Sequence, residues 1–420
     1  MTSAKLNVAL GGVIAASLLA LGCSRAHTKT EAAVATPKPD VQIDLSVHGL
    51  PKGFFEPDAD TKCGNQIIGY RFVVWLNADT LAVGFNTSPN CRSSPDRKVD
   101  GLARILVFGS TGALKAERDI PYLADGNGEL VAPGEVAPGP DGTLLFRIES
   151  VNLDPEGRNE SKSGILLLDA ELKDVGRLDR FLEQTTFVNH ALVFQDLNTH
   201  TYSVFDRVPL TQPKQWEQVW PVDARDRKFG EDGIAFMACK QELRPNEYVS
   251  TGIVYAGAKQ RCTMTAESED RRQWTVPLRD GETASIVGVL AGGAIVGNIN
   301  VKDSNAGKLV IWRKDKPMEM LPWVPDKYCG ALTGATVDMS RYAVFASDNC
   351  NDVRGLMRIL GVGHSTTDVG HFIILDRGSQ KAIADRTLAK NARAALSPDG
   401  LRYATFEAGQ LRIYTLPKSQ

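Results

Sequence analysis

Residues 394–416 read AALSPDGLRYATFEAGQLRIYTL. A short segment of small residues meets the turn Pro398-Asp399-Gly400, an apolar strand follows, a second tight turn comes at Gly409-Gln410, and another apolar strand leaves it. Pro presets the first turn residue and Gly takes backbone angles that other residues avoid, so this composition folds the chain back on itself twice. Three antiparallel strands result.

The opening of that stretch recurs. In EVAPGPDGTLLFRI, Pro140, Asp141 and Gly142 match Pro398, Asp399 and Gly400, and weaker copies are VVWLNADTLAVGF, FGEDGIAFMAC, VGVLAGGAIVGNI and GATVDMSRYAVFAS. A second hairpin type alternates with the first, as in ARILVFGSTGALKAERD, GILLLDAELKDVGRL, KLVIWRKDKPMEML and HFIILDRGSQKAIAD. Its first strand is apolar and its second charged, which places the first in a core and the second toward water. Successive copies lie about fifty residues apart, the spacing of propeller blades. Two hairpins make one four-stranded blade, and seven such repeats fit between Val41 and Gln420. Gly- and Ala-rich strands such as CGALTGATV suit the crowded axis of a ring, and charged strands suit its rim.

The last repeat, from about Asn391, supplies three strands only. Its fourth is expected from VQIDLSV at 41–47, with Val41, Ile43, Leu45 and Val47 on one face and Gln42, Asp44 and Ser46 on the other. Pairing the first strand with the last closes the ring and removes an exposed edge. The chain is all-β, and it resembles the seven-bladed β-propellers of the WD40-like, YVTN and TolB-like group of bacterial envelopes. No blade carries the Gly-His…Trp-Asp signature of true WD40 repeats. The third repeat, TTFVNHALVFQD, is weakly marked, so six and eight blades are the alternatives.

The N-terminus reads differently. MTSAKLNVALGGVIAASLLALGC has one basic residue, Lys5, then an apolar run ended by small residues, the pattern of an export signal. It closes on LALGC, which resembles the lipobox of bacterial lipoproteins; Ala20 stands where that family most often has Leu. The resemblance implies lipidation of Cys23, with 1–22 as signal peptide and an outer-membrane protein facing the periplasm or the cell surface. The alternative is ordinary cleavage nearby and a periplasmic or secreted chain. Residues 23–40 hold almost no large apolar side chain and read as a flexible tether, leaving 41–420 as the propeller. Membrane contact is expected through the lipid anchor alone.

The chain has 420 residues, 43% hydrophobic and 23% charged, with a formal net charge of -2. No basic run offers a nucleic-acid footprint. Six cysteines remain beyond Cys23: Cys63, Cys91, Cys239, Cys262, Cys329 and Cys350. An even number in an exported chain argues for disulfides, and the absence of Cys-x-x-Cys spacing argues against metal. Cys329 and Cys350 are equidistant from the centre of DMSR (Asp338 to Arg341), so a two-residue turn there would oppose them directly; such a bond is worth about 3 kcal/mol in the chain-entropy model. Cys63 and Cys91 bracket LNAD (Leu76 to Asp79) half a residue off centre. Cys239 and Cys262 read as ends of strands that are not neighbours, and pair only by elimination.

Little in the loops carries chemistry. GVGHSTTDVGH gathers His364, Ser365, Asp368 and His371, and its plain reading is a loop between the last two strands of a blade. A catalytic triad needs groups converging from separate elements, so a ligand contact is the functional alternative. Trp75 and Trp312 read as blade packing. Trp216 and Trp220 fall in what looks like a long connection, where an exposed indole could stack on a sugar or anchor a protein. No cofactor or metal is implied. The expectation is an envelope-anchored scaffold that binds a protein or glycan on one face of the ring. The alternative is a propeller enzyme, a hydrolase, lyase or quinoprotein-type dehydrogenase, with an axial site.

Overall fold

The structure, a computed structural model, describes residues 37–52, 71–87, 102–121, 129–152, 161–179, 185–188, 191–196, 201–210, 214–217, 225–229, 233–242, 259–268, 273–277, 282–290, 294–301, 308–324, 329–347, 369–389 and 392–418. Among these residues the chain forms seven four-stranded antiparallel sheets, a β-propeller. The N-terminal strand is β1 (Val41–Asp44). Blade 1 is β2 (Arg71–Asn77), β3 (Thr80–Asn86), β4 (Leu102–Gly109) and β5 (Leu114–Pro121); blade 2 is β6 (Glu129–Pro138), β7 (Leu144–Asn152), β8 (Ser161–Leu168) and β9 (Asp174–Asp179). Blade 3 comprises β10 (Thr185–Val188), β11 (Ala191–Asp196), β12 (Thr201–Phe205) and β13 (Lys214–Glu217). Blade 4 comprises β14 (Arg225–Phe229), β15 (Gly233–Glu242), β16 (Lys259–Ser268) and β17 (Gln273–Pro277). Blade 5 is β18 (Glu282–Val289), β19 (Ile295–Val301), β20 (Lys308–Trp312) and β21 (Glu319–Met320); blade 6 is β22 (Cys329–Ala335), β23 (Arg341–Ser347), β24 (Val369–Asp376) and β25 (Lys381–Ala389). Blade 7 joins β26 (Arg393–Leu396), β27 (Arg402–Glu407) and β28 (Gln410–Thr415) to β1, in the order β1-β28-β27-β26.

The ring closes as the alternation in 41–47 predicts, but over fewer residues. Val41 opposes Ile413 and Asp44 opposes Gln410. The strand ends there, because Asp44 accepts a hydrogen bond from the Ser46 amide (2.9 Å) and caps a 3-10 helix over Leu45–His48. Gly49 ends that helix at φ 86°, an angle open to glycine. Leu45 is fully buried, whereas Val47, expected on the same face, is 76% exposed. The bend also ties the closing strand to blade 1. A Cβ on Gly112, in the β4–β5 turn, would lie 2.5 Å from Val41, and Arg104 of β4 donates to the His48 carbonyl (2.9 Å).

The apolar core lies between blades. Trp75, Leu81, Phe85 and Phe108 of blade 1 pack with Leu45 and with Ala404, Phe406, Leu411 and Ile413 of blade 7. Comparable clusters join blades 1 and 2, 2 and 3, 5 and 6, and 6 and 7. Trp75 and Trp312 are both buried, as blade packing requires.

Two register readings are corrected. The turn after β22 spans residues 336–340, and a bulge falls between Leu332 and Gly334. Together they shift the pairing, so Cys329 opposes Ser347 and not Cys350. Cys239 and Cys262 stand on neighbouring strands, β15 and β16, and are direct cross-strand partners. The sequence distance between them is taken up by the connection 243–258. Cys23, Cys63, Cys91 and Cys350 lie outside the described residues.

Candidate functional site

Antiparallel blades divide the ring into two ends. The turns joining first to second and third to fourth strands gather at one end, here the hairpin face. The links from second to third strands, and from blade to blade, gather at the other, here the connection face. Among the described residues, the hairpin face includes short, internally bonded turns. Ser397-Pro-Asp399-Gly-Leu-Arg402 and Thr336-Val-Asp338-Met-Ser-Arg341 share one design. The hydroxyl accepts from the arginine amide (2.9 and 3.1 Å) and donates to the aspartate, while the aspartate accepts from the amide two residues on (3.0 and 2.9 Å). Gly400 and Met339 occupy the left-handed position at φ 68° and 57°.

From these turns arginines cross to the next blade. Arg341 pairs with Asp376 in its own blade (3.2 Å) and donates to the Gly400 carbonyl (2.7 Å) and the Pro417 carbonyl in blade 7. Arg402, at the same place one blade on, donates to the Ala78 carbonyl in blade 1 (3.1 Å). Arg377 of blade 6 holds Glu319 of blade 5, Arg118 of blade 1 reaches the Leu172 carbonyl of blade 2, and the Val208 amide of blade 3 donates to Asp141 of blade 2. Burial alone would raise the Glu319 carboxyl, but hydrogen bonds from Arg377 and Arg313 outweigh it and hold the group below its ordinary value. Sequence reading passed over this lacing. The repeated Ser/Thr-x-Asp-x-x-Arg pattern was the available signal.

The connection face is different. Its links include 87–101, 243–258 and 348–368, against 78–79, 336–340 and 397–401 on the hairpin face. β15 ends and β16 begins toward the connection face, so the opposed Cys239 and Cys262 stand in its half of blade 4. His371 is here too, near the start of β24, and its Nδ1 lies 3.0 Å from Asp385 Oδ1 of β25. An imidazole oriented by a carboxylate is two parts of an acid–base constellation. His371 belongs to the third strand, so GVGHSTTDVGH links second to third strands, not the last two. His364, Ser365 and Asp368 lie outside the described residues, as does Trp220. Trp216 is not in a connection; it sits on the outer strand β13, opposite Tyr202.

At the axis run the innermost strands, β2, β22 and β26 among them, and β26 touches both of the others. All four residues of β26 keep partial exposure, so water reaches this wall. Trp75 of β2 donates through Nε1 to the Ala395 carbonyl (3.1 Å), which sets the level of the two strands. Arg393 opens β26; its Nη1 donates to the carbonyl of Ala392 (3.0 Å), and burial lowers its pKa. Burial lowers an arginine's pKa because it disfavours the charged form.

No protein-family model and no curated protein matches the sequence. Solved structures do. The β-propeller domain of the Trilobed protease from Pyrococcus furiosus is 14% identical, with a TM-score of 0.43, over 83% of this chain and 96% of that one. Prolyl oligopeptidase B from Galerina marginata is 8% identical, with a TM-score of 0.43, over 83% of this chain and 49% of its own. An acylaminoacyl peptidase from Pyrococcus horikoshii is 11% identical, with a TM-score of 0.39, over 69% and 46%. The chain spans about half the length of these two peptidases. The fold assignment rests on the sheet order above.

Proposed function

We propose that this chain is an envelope-anchored binding scaffold that receives a protein or glycan partner on the connection face. The observation that carries the reading is the contrast between the two ends of the ring. Hairpin-face turns spend their polar groups on one another and on the next blade, through Arg341, Arg402, Arg377 and Arg118. Those groups are committed to holding the ring. The connection face carries the long links 87–101, 243–258 and 348–368, where recognition residues can vary without disturbing blade packing.

Lipidation at Cys23 and the tether 23–40 would hold the ring near a membrane and set the reach of that face. In vivo crosslinking of the native protein, beside Cys23→Ala, tests the reading. A specific adduct in the wild type, reduced when the anchor is lost, is expected. A wild type with no specific adduct would sink the scaffold reading.

A further inference from the structure

We propose that Arg393 binds an oxyanion, a carboxylate or a phosphate group, in the solvent-accessible axis of the ring. Among the described residues, arginines of the two flanking blades pair with carboxylates. Arg341 has Asp376, Arg386 has Glu407, and Arg104 has Asp119. Arg393 has the carbonyl of its own neighbour, Ala392.

Its surroundings explain the difference. Arg393 opposes Phe406 in β27. The carboxylate beside that position, Glu407, is already held by Arg386 and by Arg412 (3.0 Å). Asp399 is bonded to Ser397 and the Leu401 amide, and Asp385 faces His371. Among the described residues no carboxylate pairs with this densely surrounded guanidinium; such a charge is costly to keep, and buried charges are ordinarily paired. Arg393, like the rest of β26, keeps partial exposure, and a solute would reach it from the exposed side.

The neighbouring innermost strand, β2, carries Arg71, which has interactions of its own. Trp75 is level with Ala395. Arg71 precedes Trp75 by four residues and Arg393 precedes Ala395 by two, so Arg71 stands about 7 Å nearer the connection face at the rise of an extended strand. An anion entering from that end meets Arg393, whose planar fork matches carboxylate and phosphate geometry. The proposal holds whichever partner docks outside.

Thermal unfolding of the whole purified protein in inorganic phosphate or malonate, against sodium chloride at equal ionic strength, tests it. The wild type is expected to gain a saturable rise in Tm with at least one probe. A rise with phosphate alone identifies a phosphate site, and a rise with malonate identifies a carboxylate site. Arg393→Met is expected to lose that rise and to unfold at a higher temperature than the wild type without either probe. Lys314→Met, which removes an exposed cation, keeps the response. If Arg393→Met does not fold, Arg393→Lys carries the test, with apparent affinity weakened about tenfold by loss of the fork. A wild type that answers neither probe, or an Arg393 variant that answers like the wild type, overturns the proposal.

Discussion

Arg341 donates from Nη1 to the carbonyl oxygen of Gly400 at 2.7 Å, carrying a buried charge of blade 6 onto the backbone of blade 7. Gly400 is the left-handed residue of the turn whose own arginine, Arg402, reaches on to Ala78 in blade 1. Successive blades are therefore locked on the hairpin face through the turns that define them.

The Arg341–Asp376 pair is nearly inaccessible, with side chains 3% and 6% exposed. Removing one member takes the ion-pair partner from a buried charge. Arg341→Met is expected to cost about 3–5 kcal/mol in urea unfolding, and adding Asp376→Leu to recover much of that. A single variant as stable as the wild type would mean that the bridge does not hold the blades.

Closure by β1 predicts an asymmetry between two residues that the alternation of 41–47 places together. Leu45→Ala empties a fully buried position and should cost about 2–5 kcal/mol. Val47→Ala trims an exposed side chain and should change stability by less than about 0.5 kcal/mol. Equal losses would contradict the bend at Asp44.

Cross-strand opposition of Cys239 and Cys262 predicts a disulfide under oxidising conditions. Mass spectrometry of unreduced peptides should recover residues 239 and 262 in one linked species. Recovery of Cys239 bonded to any other cysteine would show that the register in blade 4 differs from that described.

Acid should loosen the contact between blades 5 and 6. Glu319 has a folded pKa below its unfolded value, so its stabilising effect is present above the unfolded pKa and is lost as pH falls through the folded one. At neutral pH, Glu319→Gln should unfold at a lower Tm than the wild type. The gap should close as pH drops below about 4, near and under the ordinary carboxylate range. A gap that persists unchanged at low pH would assign the effect to packing.

Much of the architecture was legible because turn chemistry is local. Pro398-Asp399-Gly400 and Pro140-Asp141-Gly142 announce hairpins whatever surrounds them, and alternation named β1 as the closing strand. What escaped the sequence depends on offsets and on distance. A bulge between Leu332 and Gly334, with a longer turn, moved Cys329 from Cys350 to Ser347. The connection 243–258 hid the adjacency of β15 and β16, and with it the facing of Cys239 and Cys262. Asp44 reads as one more outward residue of a strand until its carboxylate is seen to cap the Ser46 amide. Arg393 was not singled out, because nothing in a linear sequence shows which carboxylates are already taken. His371 was singled out, but its partner Asp385 lies across a hairpin on the next strand.

The two faces can be compared directly in native cells with a photo-crosslinking residue placed at Ala389, exposed at the connection-face end of β25, or at Lys314, exposed in a hairpin-face turn. A discrete adduct from position 389 and none from position 314 is the predicted result. An adduct from position 314 alone would contradict the assignment of the connection face as the binding surface.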